Sequence, residues 1–170
     1  MTRNKLLSIT GLILLTCYAG QTLAEEQPVL VKIPRMSLDT AMTAAKAAID
    51  ACRKEGVQVA VTIVDRGGHP QVVLRDVLAM DLTLAVSRDK AYTAMSFNSV
   101  TSALEGRFTS PFSVAKTPGL LISAGGVPIQ AGGAILGGIG VSGAPSGKTD
   151  EKCAQAGLAA VQDELEMAGM

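Results

Sequence analysis

Hydrophobic residues recur along this chain with two different periods, and the switches between them outline a fold. Ser37 stands as an N-cap before Leu38, Ala41, Met42, Ala45, Ile49 and Cys52, whose three- and four-residue spacing makes one apolar helical stripe ending at Gly56. The period then drops to two. Val57, Val59, Val61 and Ile63 alternate with Gln58, Ala60, Thr62 and Val64, and such a β-branched run predicts a strand. Arg66-Gly67-Gly68-His69-Pro70 is turn chemistry, and Gln71 to Arg75 resumes the β-rich pattern, so the two runs read as a hairpin.

Helical composition returns from Asp81 to Phe97, with Ser99 to Arg107 as a short second helix and Phe108 to Thr117 as a loop. Three short strands follow, at Gly119–Ser123, Val127–Gln130 and Ala134–Val141, separated by turns at Ala124-Gly125-Gly126 and Ala131-Gly132-Gly133. Asp150 opens a last helix through Ala154, Leu158, Val161 and Leu165. The order predicts an α+β domain over residues 37–170, a five-stranded antiparallel sheet flanked by helices.

The first 24 residues follow a different logic. Arg3 and Lys5 precede an apolar run from Leu6 to Leu15, and Thr22-Leu23-Ala24 offers small residues before Glu25-Glu26. This is the pattern of a secretory signal peptide, cleaved after Ala24. The run falls short of the roughly 20 residues a membrane span needs. Thr16 is a poor neighbour for lipidation at Cys17. Residues 25–36, with Pro28 and Pro34 and no periodicity, read as an extended N-terminal arm. The expected location is periplasmic or secreted.

Charge and composition narrow the chemistry. The 170 residues carry 15 basic and 15 acidic side chains, and loss of Arg3 and Lys5 leaves the mature chain slightly acidic with no basic stripe. Nucleic-acid binding needs clustered cations, and aromatic residues for base stacking make up only 3%. The core must come from Ala, Gly, Val, Leu and Ile, small side chains that favour burying further surface by oligomerisation. After Cys17 leaves, Cys52 and Cys153 remain, and an oxidising compartment invites a disulfide between them. Such a bridge closes a loop of roughly 100 residues, worth at most about 4–5 kcal/mol in the chain-entropy account, a figure that strain often reduces, provided the first and last helices pack side by side.

Two glycine motifs are accidental. Gly138-Ile139-Gly140-Val141-Ser142-Gly143 matches GxGxxG, but within a strand and too near the C-terminus to complete a dinucleotide-binding unit. Gly143-Ala144-Pro145-Ser146-Gly147-Lys148-Thr149 lacks one residue of a P-loop. His69 is the only histidine and no cysteine has a close metal-binding partner, so zinc spacing is absent. No Gly-x-Ser-x-Gly elbow marks a hydrolase. His69 itself has two readings. It is a solvent-facing turn residue, or it supplies the neutral imidazole that commonly ligates haem iron.

Several segments together resemble the GlcG/HbpS-like family, also described as the haem-binding or haem-degrading domain DUF336. They are Val64-Asp65-Arg66-Gly67-Gly68-His69 with Leu74-Arg75, then Ser87-Arg88-Asp89-Lys90-Ala91-Tyr92-Thr93-Ala94, then Gly125-Gly126-Val127-Pro128-Ile129. Leu136 to Gly143 and Asp150-Glu151-Lys152-Cys153-Ala154-Gln155-Ala156-Gly157 complete the series, in the family's order, from about Met36 to Ala168. The resemblance implies a profilin-like sandwich, homo-oligomers that often reach an octamer, and binding of haem or a small ligand. Carried onto this chain, it implies ligand contacts at Arg75, Lys90, Gly125 and Gly126, with His69 as the haem candidate. Two cations could hold a carboxylate there, and the glycines would admit backbone N–H groups. The structural alternative pairs Arg75 and Lys90 with Asp65 or Asp89. Asp76-Val77-Leu78-Ala79-Met80 departs from the family pattern. The favoured expectation is an exported, non-catalytic homo-oligomer that binds haem or a small anionic metabolite. The alternatives are an enzyme acting on a hydroxy acid or on haem, and an accessory subunit of a periplasmic redox system.

Overall fold

The computed structural model describes residues 29–169, so the expected signal peptide lies outside it. Residues 29–32 carry neither helix nor strand, and the compact unit begins at Ile33. Its elements are α1 (Leu38–Lys54), β1 (Ala60–Asp65), β2 (Pro70–Arg75), α2 (Leu82–Phe97), β3 (Gly126–Ala131), β4 (Ala134–Ser142), α3 (Gly147–Ala159) and α4 (Gln162–Gly169). Short 3-10 turns occupy Thr101–Leu104 and Val114–Lys116. No helix among the described residues is long and apolar enough to cross a membrane.

The α+β architecture agrees with the sequence, but the sheet has four strands, in the order β2-β1-β4-β3, all antiparallel. The expected strand at Gly119–Ser123 is a loop. Side chains take its backbone groups before any strand can: Leu121 N–H donates to Thr93 Oγ1 at 2.8 Å, and Ala124 N–H to Glu105 Oε1 at 2.8 Å. The expected helix over Ser99–Arg107 shrinks to one 3-10 turn. The last helix starts earlier than Asp150, capped by the Ser146 hydroxyl, and is interrupted after Ala159. Beyond the interruption, Gln162 Nε2 donates to the Gln130 carbonyl, while Val161 and Leu165 are buried.

Strand β1 lies at the centre, and its side chains serve two cores. Val61 and Ile63 pack with α1 and α3, in a cluster that includes Ala41, Ala45, Ile49, Cys153 and Ala154. Thr62 and Val64 face α2 instead: Thr62 Oγ1 lies 2.8 Å from Ser87 Oγ, and Val64 packs on Ala91 and Met95. Helices therefore cover both faces. The α2 face is unusually close. A Cβ on Gly138 would strike the Ala91 carbonyl, and one on Gly140 the Ser87 carbonyl. The glycine repeat of β4 is thus a seat for a helix, not a phosphate loop.

Helices α1 and α3 lie side by side, and Cys52 and Cys153 are joined in a disulfide with Cα atoms 5.5 Å apart. The apposition required by the sequence argument is met. The purified protein should migrate differently on reducing and non-reducing gels. Cys52→Ser with Cys153→Ser should lower unfolding stability by about 2–4 kcal/mol in a denaturant titration. Identical mobility with two titratable thiols would contradict the bridge.

Candidate functional site

Residues singled out by the sequence fall into three places, and each has its own chemistry. The first is a closed polar cluster. Lys90 on α2 is 5% exposed at its side chain and donates to Asp150 Oδ2 at 2.9 Å and to the Val141 carbonyl at 3.1 Å. Asp150, in the first turn of α3, also accepts from Ala144 N–H at 2.9 Å. Burial pushes the Asp150 carboxyl above its ordinary value, against the pull of the Ala144 N–H and the Lys90 ammonium. Next to it, Glu151 accepts from Ser102 Oγ at 2.6 Å, Ser102 N–H at 3.1 Å and Gly125 N–H at 3.3 Å.

Gly125 and Gly126 are packed into this cluster. A Cβ on Gly125, where φ is +128°, would come 2.6 Å from Lys90 Nζ, and one on Gly126 would strike the Lys90 carbonyl. The structure thus brings Lys90, Gly125 and Gly126 together, with acceptors supplied from within the fold. The structural pairing expected for Lys90 exists, but its partner is Asp150. Asp65 pairs with Arg35 at 3.2 Å and Asp89 with Arg88 at 2.8 Å.

Arg75 is not part of this cluster. It ends β2, its Nη1 donates to the Ala79 carbonyl, and it lies 3.4 Å from Asp81 Oδ1, so it shares no partner with Lys90. It lines a cleft of about 300 Å³ with Met42, Lys46, Ile49, Arg53, Leu74 and Asp76.

The third place is the β1–β2 turn. Asp65 Oδ1 accepts from Gly67 N–H at 2.8 Å and His69 N–H at 3.0 Å, and Asp65 N–H donates to the His69 carbonyl at 2.9 Å. Gly68 takes φ +82°, where a Cβ would strike the Tyr92 ring, so the turn rests directly on α2. His69 is held at the tip with its side chain 81% exposed and Nδ1 3.5 Å from Asp65 Oδ1. Its neighbours Gly68 and Pro70 line a cleft of about 320 Å³ shared with Arg88, Asp89, Tyr92, Pro118 and Gly119. Burial raises the Asp65 carboxyl, but the His69 and Gly67 N–H bonds and the Arg35 and His69 charges outweigh it and hold it below its ordinary value.

The sequence reading missed Asp150 and Glu151 as partners of Lys90 and Gly125, although both stand in the last motif quoted above. It also passed over Arg88 and Tyr92 as cleft walls. Their i,i+4 spacing puts Arg88 and Tyr92 on one face of α2, away from the buried Lys90, which is a local signal, whereas the approach of the loop around Pro118 has none. Among the described residues, no group of three His, Cys, Asp or Glu side chains could hold a metal ion.

Asp65 organises the His69 turn, so Asp65→Asn should lower stability by about 1–2 kcal/mol, measured by thermal or urea unfolding. The contribution should also follow pH. Because the folded carboxyl titrates below its unfolded value of about 3.9, its stabilisation is complete above that value. It is lost as pH falls through the lower folded value. An Asp65→Asn protein with an unchanged acid-unfolding profile would count against this role.

The family model described as haem degrading protein HbpS-like matches residues 36–159. Among solved structures, HbpS from Streptomyces reticuli, crystallised as a double mutant, is 40% identical with a TM-score of 0.74, covering 83% of this chain and 97% of that one. PduOC in complex with haem is 26% identical with a TM-score of 0.67, covering 75% of this chain and 95% of its own. The DUF336 protein ORFY of Klebsiella pneumoniae, 24% identical with a TM-score of 0.76, covers 81% of this chain and 98% of its own and shares the fold. No curated protein sequence matches significantly. A family match that runs from the start of the core to the end of α3, with 40% identity over nearly all of HbpS, makes this chain a member of the HbpS-like family.

Proposed function

We propose that this protein binds haem at the β1–β2 turn, with His69 as iron ligand, and that it does so as an exported, non-catalytic homo-oligomer. The observation that carries the reading is the imidazole itself. It is exposed, pinned by its own backbone, and has a carboxylate on the Nδ1 side. Metal-bound histidines commonly present their second nitrogen to such a carboxylate, which leaves Nε2 free to ligate. At 3.5 Å the Asp65 contact is electrostatic and not a full hydrogen bond.

The surrounding residues fit the group. Arg88 uses Nε and Nη2 on Asp89, which among the described residues leaves Nη1 for a propionate, and the Tyr92 ring offers an aromatic wall. Bound haem would supply an iron centre for sensing, transport or oxygen chemistry. The protein's part is to position the imidazole, hold the propionate and shield one edge of the ring. The haem complex of PduOC supports haem as the ligand class.

Export is supported by the signal-like first 24 residues and by a disulfide that an oxidising compartment would preserve. Self-association is supported by the run from the end of β2 into the start of α2, where Val77, Leu78, Met80 and Leu82 are 81%, 78%, 61% and 59% exposed. The description of the family model as haem degrading favours a second reading, in which the bound haem is itself consumed.

The deciding experiment is a haem titration of the purified protein, followed at the Soret band beside His69→Ala. Saturation near one haem per subunit, lost in the variant while its melting temperature holds, is the expected result. Saturation retained in the variant would move the ligand elsewhere, and no saturation would remove haem. Adding a reductant in air to the saturated protein separates the two readings: a persistent Soret band fits binding, and its steady bleaching fits degradation. Light scattering should return a multiple of the subunit mass, and a monomer would remove the self-association.

A further inference from the structure

The cleft between α1 and β2 is another place where polar donors meet an apolar wall. Arg53 is committed: its Nε donates to Asp76 at 3.1 Å, its Nη2 also bonds Asp76, and its Nη1 donates to Asp50 at 3.3 Å. That commitment matters, because it neutralises the buried Asp76 carboxylate, which would otherwise repel an anion from the cleft. Lys46 is different. Its ammonium has Asp50 at 3.6 Å, beyond hydrogen-bond reach, and its side chain is 70% exposed. Arg75 spends only Nη1, on the Ala79 carbonyl and Asp81; among the described residues, Nε and Nη2 have no acceptor. Met42, Leu74 and Ile49 line the same cleft, the last of them only 4% exposed.

We propose that this cleft is a second ligand site, which takes a small organic carboxylate with an apolar body. Lys46 and Arg75 would receive the carboxylate, and Met42, Ile49 and Leu74 the hydrocarbon part. Guanidinium and ammonium donors on a carboxylate form the stronger class of hydrogen bond, and the apolar wall adds what an inorganic anion could not use. At about 300 Å³ the cleft has room for a small organic acid. The site shares no residue with the His69 cleft and does not rest on the haem reading.

The test is calorimetric titration of the full protein with hexanoate and benzoate, beside acetate and inorganic phosphate. Saturable binding of the first two is expected, with the second two weaker by roughly tenfold or more. Lys46→Ala and Arg75→Gln should each weaken hexanoate by roughly five- to tenfold. Lys46 is exposed enough for its variant to keep the fold, so it decides the matter should the Arg75 variant lose its anchor to Ala79. Haem titration of Lys46→Ala should match the unaltered protein. The proposal is overturned by absent binding, by phosphate binding as tightly as hexanoate, by full affinity in Lys46→Ala, or by loss of haem in that variant.

Discussion

One buried ion pair holds the two helical layers to each other through the sheet. Lys90 comes from α2 on one face, Asp150 from the first turn of α3 on the other, and the ammonium also takes the Val141 carbonyl near the end of β4. Both side chains are at most 5% exposed, so neither charge has water as an alternative partner. Burying such a pair is not in itself a large gain, because desolvation offsets most of the attraction. Removing one partner is a different matter and typically costs about 3–5 kcal/mol. The pair therefore acts more as a constraint on geometry than as a source of stability. Its neighbours obey it: Gly125 has no side chain because Lys90 Nζ occupies that space, and Glu151 fixes the same loop through Gly125 and Ser102.

Glycine makes the constraint possible. Lys90 reaches Val141 only because α2 lies close on β4, and Gly138 and Gly140 admit the Ala91 and Ser87 carbonyls where a methyl group would collide. Across the sheet, Gly157 does the same for α3, where a Cβ would lie 2.6 Å from the Ala44 carbonyl. With such short helix–sheet and helix–helix distances, alanine-rich faces are enough to fill the core. A scarcity of aromatic residues is then a consequence of the packing distance.

This rigid frame leaves chemistry to the rim. The buried charges are satisfied internally, whereas the hairpin turn and the α1–β2 cleft keep exposed donors. Asp65 holds the backbone of the hairpin turn, and Gly68 seats that turn on Tyr92, so the backbone from which His69 projects is fixed.

The amino-acid sequence by itself determined the parts whose signal is local. The 3.6-residue stripe gave α1 with its Ser37 cap, and the β-branched alternation with a Gly-Gly turn gave the first hairpin. The five ordered motifs identified the family. Only the tertiary structure decided the remainder. Gly119–Ser123 has strand-like residues, but Thr93 and Glu105, distant in sequence, take N–H groups along the way to β3. Lys90 and Arg75 look equivalent as sequence cations, yet one is sealed against Asp150 and the other opens to a cleft. Periodicity reports which face of an element is apolar. It does not report which distant side chain completes a hydrogen bond or neutralises a charge, because that depends on how the layers close.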